Sequence, residues 1–282
     1  MITRNYFTFP FYIPRILRLW HNWPEYLLDY LIRRNPRFRK RAAAIYRLRN
    51  GTRFVDFSGT LAGTMAVVFV RREYGSFERH RTIVDVGANI GCFAVHAAQV
   101  CPEARIYCYE PEQSNFDCLK HNIDINRLAD RVTAFRYAVA SHSGPRHLAV
   151  TAESLTNSFH SHPVDARHET VDCTTLRDIF ASQRLDAIDL LKMNCEGTEY
   201  EILESCSWDD FKRIANIRLE YHNLGAQGRT GDSLARLLQT RGYRIERFTR
   251  YRQAASGFIW AARLWICLEV GGALPSVIST TI

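Results

Sequence analysis

Hydrophobic and polar positions along this chain switch repeatedly between two periods. Short runs that alternate, or are wholly apolar, predict β-strands at 82–86, 105–110, 132–138, 187–194, 216–221, 243–249 and 258–266. Apolar positions at three- and four-residue spacing predict helices over 91–100, 114–126, 175–182, 199–205 and 232–241. Helix 91–100 is apolar on nearly all sides and stops at Pro102, as a helix sandwiched between a sheet and another layer would. In helix 114–126, Phe116, Leu119 and Ile123 share the inward face and Ser114 is the expected N-cap. Strands that alternate with helices predict a mainly parallel sheet covered on both faces. The last two strands are joined by residues 250–257 alone, too short for a crossover, so one of them should run antiparallel.

Before this core, 52–57 and 66–71 read as two short strands. The expected organisation is an arm over 1–53, pre-core strands over 54–80 and a main domain over 81–282. Residues 141–170 form the longest stretch without a clear period and read as a substrate lid. They hold His142, His147, His160, His162 and His168 with Asp165, but loop histidines without a supporting frame are usually polar surface, so no metal is expected. His96, inside the apolar helix, reads as a packed core histidine.

The chemistry concentrates where strand meets helix. Thr82–Gly91, TIVDVGANIG, carries Asp85 at the strand's end and Gly87 and Gly91 in the turn. Glycines suit a tight bend or close ligand approach, and the helix N-terminus presents free N–H groups. The dinucleotide fingerprint Gly-x-Gly-x-x-Gly is incomplete, and the Gly-Lys-Ser/Thr ending of a phosphate loop is absent. A carboxylate at Asp85 would repel phosphate and suits a cationic ligand such as S-adenosylmethionine (SAM). The next strand, RIYCY, ends in Glu110-Pro111, 19 residues beyond Gly91, where an acid can accept both ribose hydroxyls of an adenosine.

The segments VDVGANIG, YEPEQSNFDCLKHNI, IDLLKMNCEGTEYEIL and IRLEYHN together resemble the FkbM family of SAM-dependent methyltransferases. The similarity runs from near Tyr46 to about Trp260, and LLKMNCEGTE is its most specific part. The resemblance implies a Rossmann-like class I methyltransferase fold, a seven-stranded mostly parallel sheet with one antiparallel strand. It also implies SAM as cofactor and O-methylation of a sugar, glycolipid or related metabolite. The family commonly has Asp where this chain has Asn194, so the charge is absent here. The expected cofactor-binding residues are Asp85, Gly87, Ala88, Asn89, Gly91, Glu110, Pro111 and Asn115.

Methyl transfer to an alcohol needs alignment, exclusion of water and a general base for the acceptor's proton. Candidates belong at the carboxyl ends of central strands. The fourth strand ends in Lys192-Met193-Asn194-Cys195-Glu196-Gly197 and the fifth in Glu220-Tyr221-His222-Asn223. Glu196 or His222 is the expected base, with Lys192, Asn194 and Glu220 orienting the hydroxyl or the cofactor's amino-acid tail. Glu196 and Glu199 could instead cap the helix after Gly197.

Charge changes the picture only at the N-terminus. The net charge is +8, yet residues 1–53 alone carry +10 and the remainder −2. A near-neutral main domain argues against a broad nucleic-acid groove. The arm is aromatic as well as basic, and Leu27, Leu28, Leu31 and Ile32 precede Arg33, Arg34, Arg37, Arg39, Lys40 and Arg41. This pattern fits packing on the core, a homo-oligomer contact, or an interfacial helix on an anionic membrane. Pro10, Pro14 and Pro24 interrupt it, which argues against a secretory signal, and no window spans a bilayer. Eight scattered cysteines without a Cys-x-x-Cys pair suit a reduced cytoplasmic setting, peripheral to a membrane if the arm binds one. Competing readings are an RNA or protein methyltransferase using the arm, a SAM-binding protein without turnover, and an NAD-linked oxidoreductase.

Overall fold

The computed structural model describes residues 9–33, 44–56, 61–150, 167–225, 228–251 and 255–264. In chain order its strands are β1 (Ala44–Arg47), β2 (Arg53–Asp56), β3 (Thr82–Val86), β4 (Arg105–Tyr109), β5 (Val132–Phe135), β6 (Ala138–Val139), β7 (Gly144–Val150) and β8 (Arg167–Thr174). They continue with β9 (Ile188–Met193), β10 (Ile214–His222), β11 (Tyr243–Arg250) and β12 (Ser256–Arg263). The helices are α1 (Phe9–Leu19), α2 (Trp23–Leu28), α3 (Leu61–Met65), α4 (Cys92–Val100), α5 (Gln113–Ile125), α6 (Leu176–Ser182), α7 (Glu199–Ser205), α8 (Trp208–Lys212) and α9 (Gly231–Thr240).

Seven strands form the central sheet in the order β11-β12-β10-β9-β3-β4-β5. Only β12 is reversed, antiparallel to both β10 and β11, while the other pairs run parallel. The reversal follows from the short connection between β11 and β12, as the sequence predicts. Because β3 lies beside β9 while the chain first proceeds outward through β4 and β5, the strand order reverses at the β3–β9 seam. Open α/β sheets bind ligands above such a seam, at the carboxyl ends of the strands.

Each inner strand buries both faces. Ile83 points into one core with α4 and α5, whereas Val84 and Val86 point into a second core with α6, α7 and α9. His96 packs in the first core against Phe69 and Phe77, at ring centroid distances of 5.0 and 5.7 Å, and burial lowers its pKa to about 4. The arm joins that same core: Ile16, Trp20 and Tyr26 are buried, and Trp20 stacks on Tyr26 at 4.3 Å. Phe11, Trp23, Leu28 and Leu31 stay exposed. The basic run from Arg34 to Arg41 lies outside the described residues.

Two asparagines one helical turn apart join β2 to this body. Asn122 accepts the Val55 N–H at 2.8 Å and donates to the carbonyls of Val55 and Ile90 at 3.1 and 2.8 Å. Asn126 exchanges the same kind of pair with Arg53, at 2.9 and 2.7 Å. Their amides take the place of a neighbouring strand, satisfying backbone groups that burial would otherwise leave unpaired.

Several local expectations need correction. The apolar run 66–71 is not a strand: Ala66–Val70 is a π-helical turn continuing α3, with Ala66, Val68, Phe69 and Val70 buried. A short, wholly apolar run fits either state, and only its packing decides. The predicted strand 132–138 breaks into β5 and β6, which belong to different sheets. The stretch 141–170 is not irregular throughout, since β7 and β8 pair antiparallel along their lengths, with β6 beside β8. Its middle, with His160 and His162, lies outside the described residues. The N-cap of α5 is Glu112, whose carboxylate accepts the Asn115 N–H at 2.7 Å, while Ser114 donates to it from inside the first turn.

Candidate active site

After β3 the chain passes through Gly87 (φ 70°) and Asn89 (φ 50°) to Gly91 (φ 89°), the N-cap of α4. The N–H groups of Gly87 and Ala88 both donate to the Tyr109 carbonyl at 3.0 Å, which binds this turn to the end of β4. A Cβ on Gly87 would sit 1.9 Å from the Asn194 carbonyl oxygen. Glycine is therefore required there twice, by conformation and by contact.

Glu110 follows β4 directly and is buried. Its carboxylate accepts the Asn89 N–H at 2.8 Å and the Glu112 N–H at 3.1 Å. Burial pushes the group up to about 7, against the pull of those two donors. The Asn115 side chain also donates to it, and a carboxylate offers about four acceptor positions, so room remains for a ligand donor.

Above the seam lies a cavity of about 290 Å³. Gly87, Ala88, Asn89, Glu110, Pro111 and Asn115 line one side of it, and Lys192, Asn194, Cys195, Glu196 and Glu220 also line it. Thr64, Val67, Val68, Arg71 and Tyr74 add a further wall, with Tyr30 from the arm and Leu148 from β7. The sequence does not foretell this wall, because the apolar run 66–71 within it reads as a strand. Among the described residues of the 222–231 loop, none lines the cavity.

Asp85 departs from expectation. It is fully buried, does not line the cavity, and pairs with Lys192 at 2.7 Å. The register explains this, since Asp85 and Lys192 are direct neighbours across the β3–β9 pair. Burial raises the Asp85 pKa and the ammonium opposes it. Lys192 also donates to the carbonyls of Gly87 and Val86, at 2.8 and 3.4 Å, so its donors are spent on the seam itself. Gly91 is likewise structural: its Cβ would meet Leu119 at 2.7 Å, away from the cavity.

Beyond β9, the turn through Glu196 (φ 52°) and Gly197 (φ 105°) is held from below by Glu199. That side chain, fully buried, accepts the N–H groups of Cys195 and Gly197 at 2.8 and 2.9 Å. His222 sits between two carboxylates: Nδ1 is 3.4 Å from Glu199 and Nε2 is 3.4 Å from Glu196. Burial alone would lower the His222 pKa, but Glu196, Glu199 and Glu220 outweigh it and raise it to about 10. Burial likewise pushes Glu196 up to about 8, with His222 opposing. His222 is not among the cavity-lining residues, whereas Glu196 is. Glu199 could have been suspected from its place in Glu-Gly-Thr-Glu, but its partners are backbone groups that only the folded turn brings near.

Residues 85–245, more than half of the chain, match the Methyltransferase FkbM domain. The chain belongs to the FkbM methyltransferase family. Curated relatives agree. It is 26% identical over 168 residues to Methyltransferase sdnD of Sordaria araneosa, covering 49% of this chain and 65% of that protein, just under two thirds of its length. It is 25% identical over 220 residues to Methyltransferase 1 of Beauveria bassiana, covering 67% of this chain and 87% of that one. To the 31-O-demethyl-FK506 methyltransferase FkbM of Streptomyces tacrolimicus it is 25% identical over 193 residues, covering 58% and 72%.

This FkbM-family protein is a SAM-dependent methyltransferase with the Rossmann-like fold. The residues around the cavity fit that cofactor. Asn89 Oδ1, Tyr109 OH, Asn115 Oδ1 and Asn194 Oδ1 are buried without hydrogen-bond partners among the described residues, all on the cavity's lining. Buried polar atoms left unpaired are costly, and a polar ligand relieves that cost. Among the described residues no cluster of His, Cys, Asp and Glu has the arrangement to hold a metal. Nor is any described helix long and apolar enough to cross a membrane.

Proposed function

We propose that this methyltransferase acts on a hydroxyl of a small acceptor, such as a sugar, a glycolipid or a related metabolite, with Glu196 as general base. The observation that carries this reading is the Glu196 carboxylate on the cavity wall, in contact with His222 and raised to about 8. SAM, when bound, supplies an electrophilic methyl group on a sulfonium. The acceptor oxygen must then lose its proton, and a base with a pKa near working pH does this best. His222, with each ring nitrogen beside a carboxylate, serves as a positioning residue that keeps Glu196 ionised. The relative named 31-O-demethyl-FK506 methyltransferase, a name describing a methyl placed on oxygen, supports the choice of acceptor atom.

On the cofactor's side, Glu110 accepts the ribose hydroxyls, flanked by Pro111 and Asn115, while Ala88 and Asn89 supply the turn beneath. Glu220, half-buried on the lining, suits the cofactor's ammonium, and the unpartnered Asn194 amide oxygen suits a donor on cofactor or acceptor. Asn194 carries no charge, so base chemistry rests with Glu196. The exposed Phe11, Trp23, Leu28 and Leu31, in an arm of net charge +10, support contact with an anionic membrane surface.

The test is methyl transfer from labelled SAM to a panel of hydroxylated acceptors, with Glu196→Gln as control. Labelled product from the native chain and none from the variant supports the reading. Label on nitrogen or carbon contradicts it, and SAM binding with no transfer at all supports the reading without turnover.

A further inference from the structure

Among the described residues the cavity lining holds two cations, and they differ in what they face. Lys192 is neutralised by Asp85 and bonded to two carbonyls. Arg71 has a buried Nε without a hydrogen-bond partner, and among the described residues no carboxylate lies within ion-pair distance of it. Arg71 acts electrostatically on Glu220, but only as one of several cations opposing burial there. A guanidinium with idle donors in a half-buried site is costly unless a ligand completes it.

Its backbone is fixed. The Arg71 N–H closes the π-helical turn on the Ala66 carbonyl at 2.8 Å, and Arg72 (φ 51°) then reverses the chain. Glu73 fastens the reversal to β11 and β12: it accepts Arg247 at 3.0 Å and Tyr251 at 2.6 Å, and its carbonyl accepts the Trp260 indole N–H at 2.7 Å. Gly75 (φ 71°) lies against the Trp260 ring, where a Cβ would come within 2.5 Å. This wall is a rigid mount, which lowers the cost of ordering the side chain on binding.

We propose that Arg71 is a carboxylate receptor of the active-site cavity, a specificity residue that forms a paired, charge-assisted contact with a carboxylate on a bound ligand. The planar guanidinium fork matches that group in a way an ammonium does not. Two bound molecules can bring it: the cofactor, through its amino-acid end, and an acidic acceptor. The inference rests on SAM occupying this cavity, but not on the acceptor being a hydroxyl.

The experiment is calorimetric titration of the full chain and of Arg71→Gln and Arg71→Lys with S-adenosylhomocysteine, decarboxylated SAM and 5′-methylthioadenosine. Loss of the contact should weaken S-adenosylhomocysteine binding on the order of ten- to a hundred-fold in Arg71→Gln, with the two carboxylate-free compounds unaffected. Arg71→Lys, which keeps charge and bulk, should recover part of the loss and serves if Arg71→Gln does not fold. If S-adenosylhomocysteine binds all three proteins equally, a panel of hydroxy acids is titrated into the S-adenosylhomocysteine-loaded protein. Preference for acids over their amides in the native chain but not in the variants assigns the carboxylate to the acceptor. Equal affinities in both series overturn the proposal. If carboxylate-free compounds weaken as much as S-adenosylhomocysteine, Arg71 is structural and the proposal also fails. A native chain that binds none of the three adenosyl compounds contradicts the cofactor assignment instead.

Discussion

The two sides of the cavity are built by different means. On the Glu110 side, the groups facing the ligand come from one strand–turn–helix unit and the strand end beside it, within 28 residues from Gly87. On the Glu196 side they come from β9, β10 and the 64–74 wall, and are held by contacts between elements far apart in sequence. The first side is a local backbone device in which glycine conformation and N–H groups do the positioning. The second depends on buried charge, with Lys192 against Asp85, Glu199 under its turn, and His222 between two carboxylates. Substitutions on the first side should therefore weaken cofactor binding, and those on the second should change rate, pH profile and stability.

The sharpest separation should come from Glu196→Gln. We expect a fall in kcat of about 10²–10⁴-fold, while titration with S-adenosylhomocysteine shows unchanged affinity. An equal loss of affinity would merge the two sides. Next, Lys192→Met strands the fully buried Asp85 carboxylate and should cost about 3–5 kcal/mol in denaturant unfolding. Combining it with Asp85→Leu should return much of that loss, and no recovery would mean the pair is not the seam's fastening. Gly87→Ala forces a methyl onto the Asn194 carbonyl at an unfavourable φ and should cost about 2–3 kcal/mol with loss of cofactor binding.

The pH profile tests His222. Glu196 acts as base only when ionised, so the rate should rise with pH through about 8. Above about 10, where His222 also loses its proton, Glu196 is still the carboxylate, so the rate should level off rather than fall. In His222→Gln the cation is gone, the Glu196 pKa climbs, and the rising limb moves to higher pH. Activity at pH 7 should drop by about tenfold per unit of displacement. A limb that stays in place would remove His222 from the account. The smallest effect is expected of Glu73→Gln, which loosens the wall on β11 and β12: about 1 kcal/mol of stability and a higher acceptor KM with cofactor affinity intact.

The same contrast explains what could be read from the chain. The central sheet, its single reversed strand and the turn from Gly87 to Gly91 were legible, because local periodicity and loop length encode them. So was the position of Glu110 at a strand end. Asp85 was misjudged because its partner lies 107 residues away and only the β3–β9 register brings them together. The Ala66–Val70 wall was missed because an apolar run carries no period to tell helix from strand. Arg71 went unnoticed for the same reason, since its meaning depends on which face of that wall meets the cavity. The Glu196–His222–Glu199 chain was half visible: the residue types stood out, but the division between the carboxylate on the lining and the imidazole behind it needed the fold.

The central claim is that Glu110 and the glycine turn hold one SAM-type ligand above the β3–β9 seam. Titration of S-adenosylhomocysteine into the native chain and into Glu110→Ala tests it most directly. One molecule should bind per native chain, and the variant should bind at least about tenfold more weakly. Absence of binding to the native chain, or equal affinity in the two proteins, would contradict it.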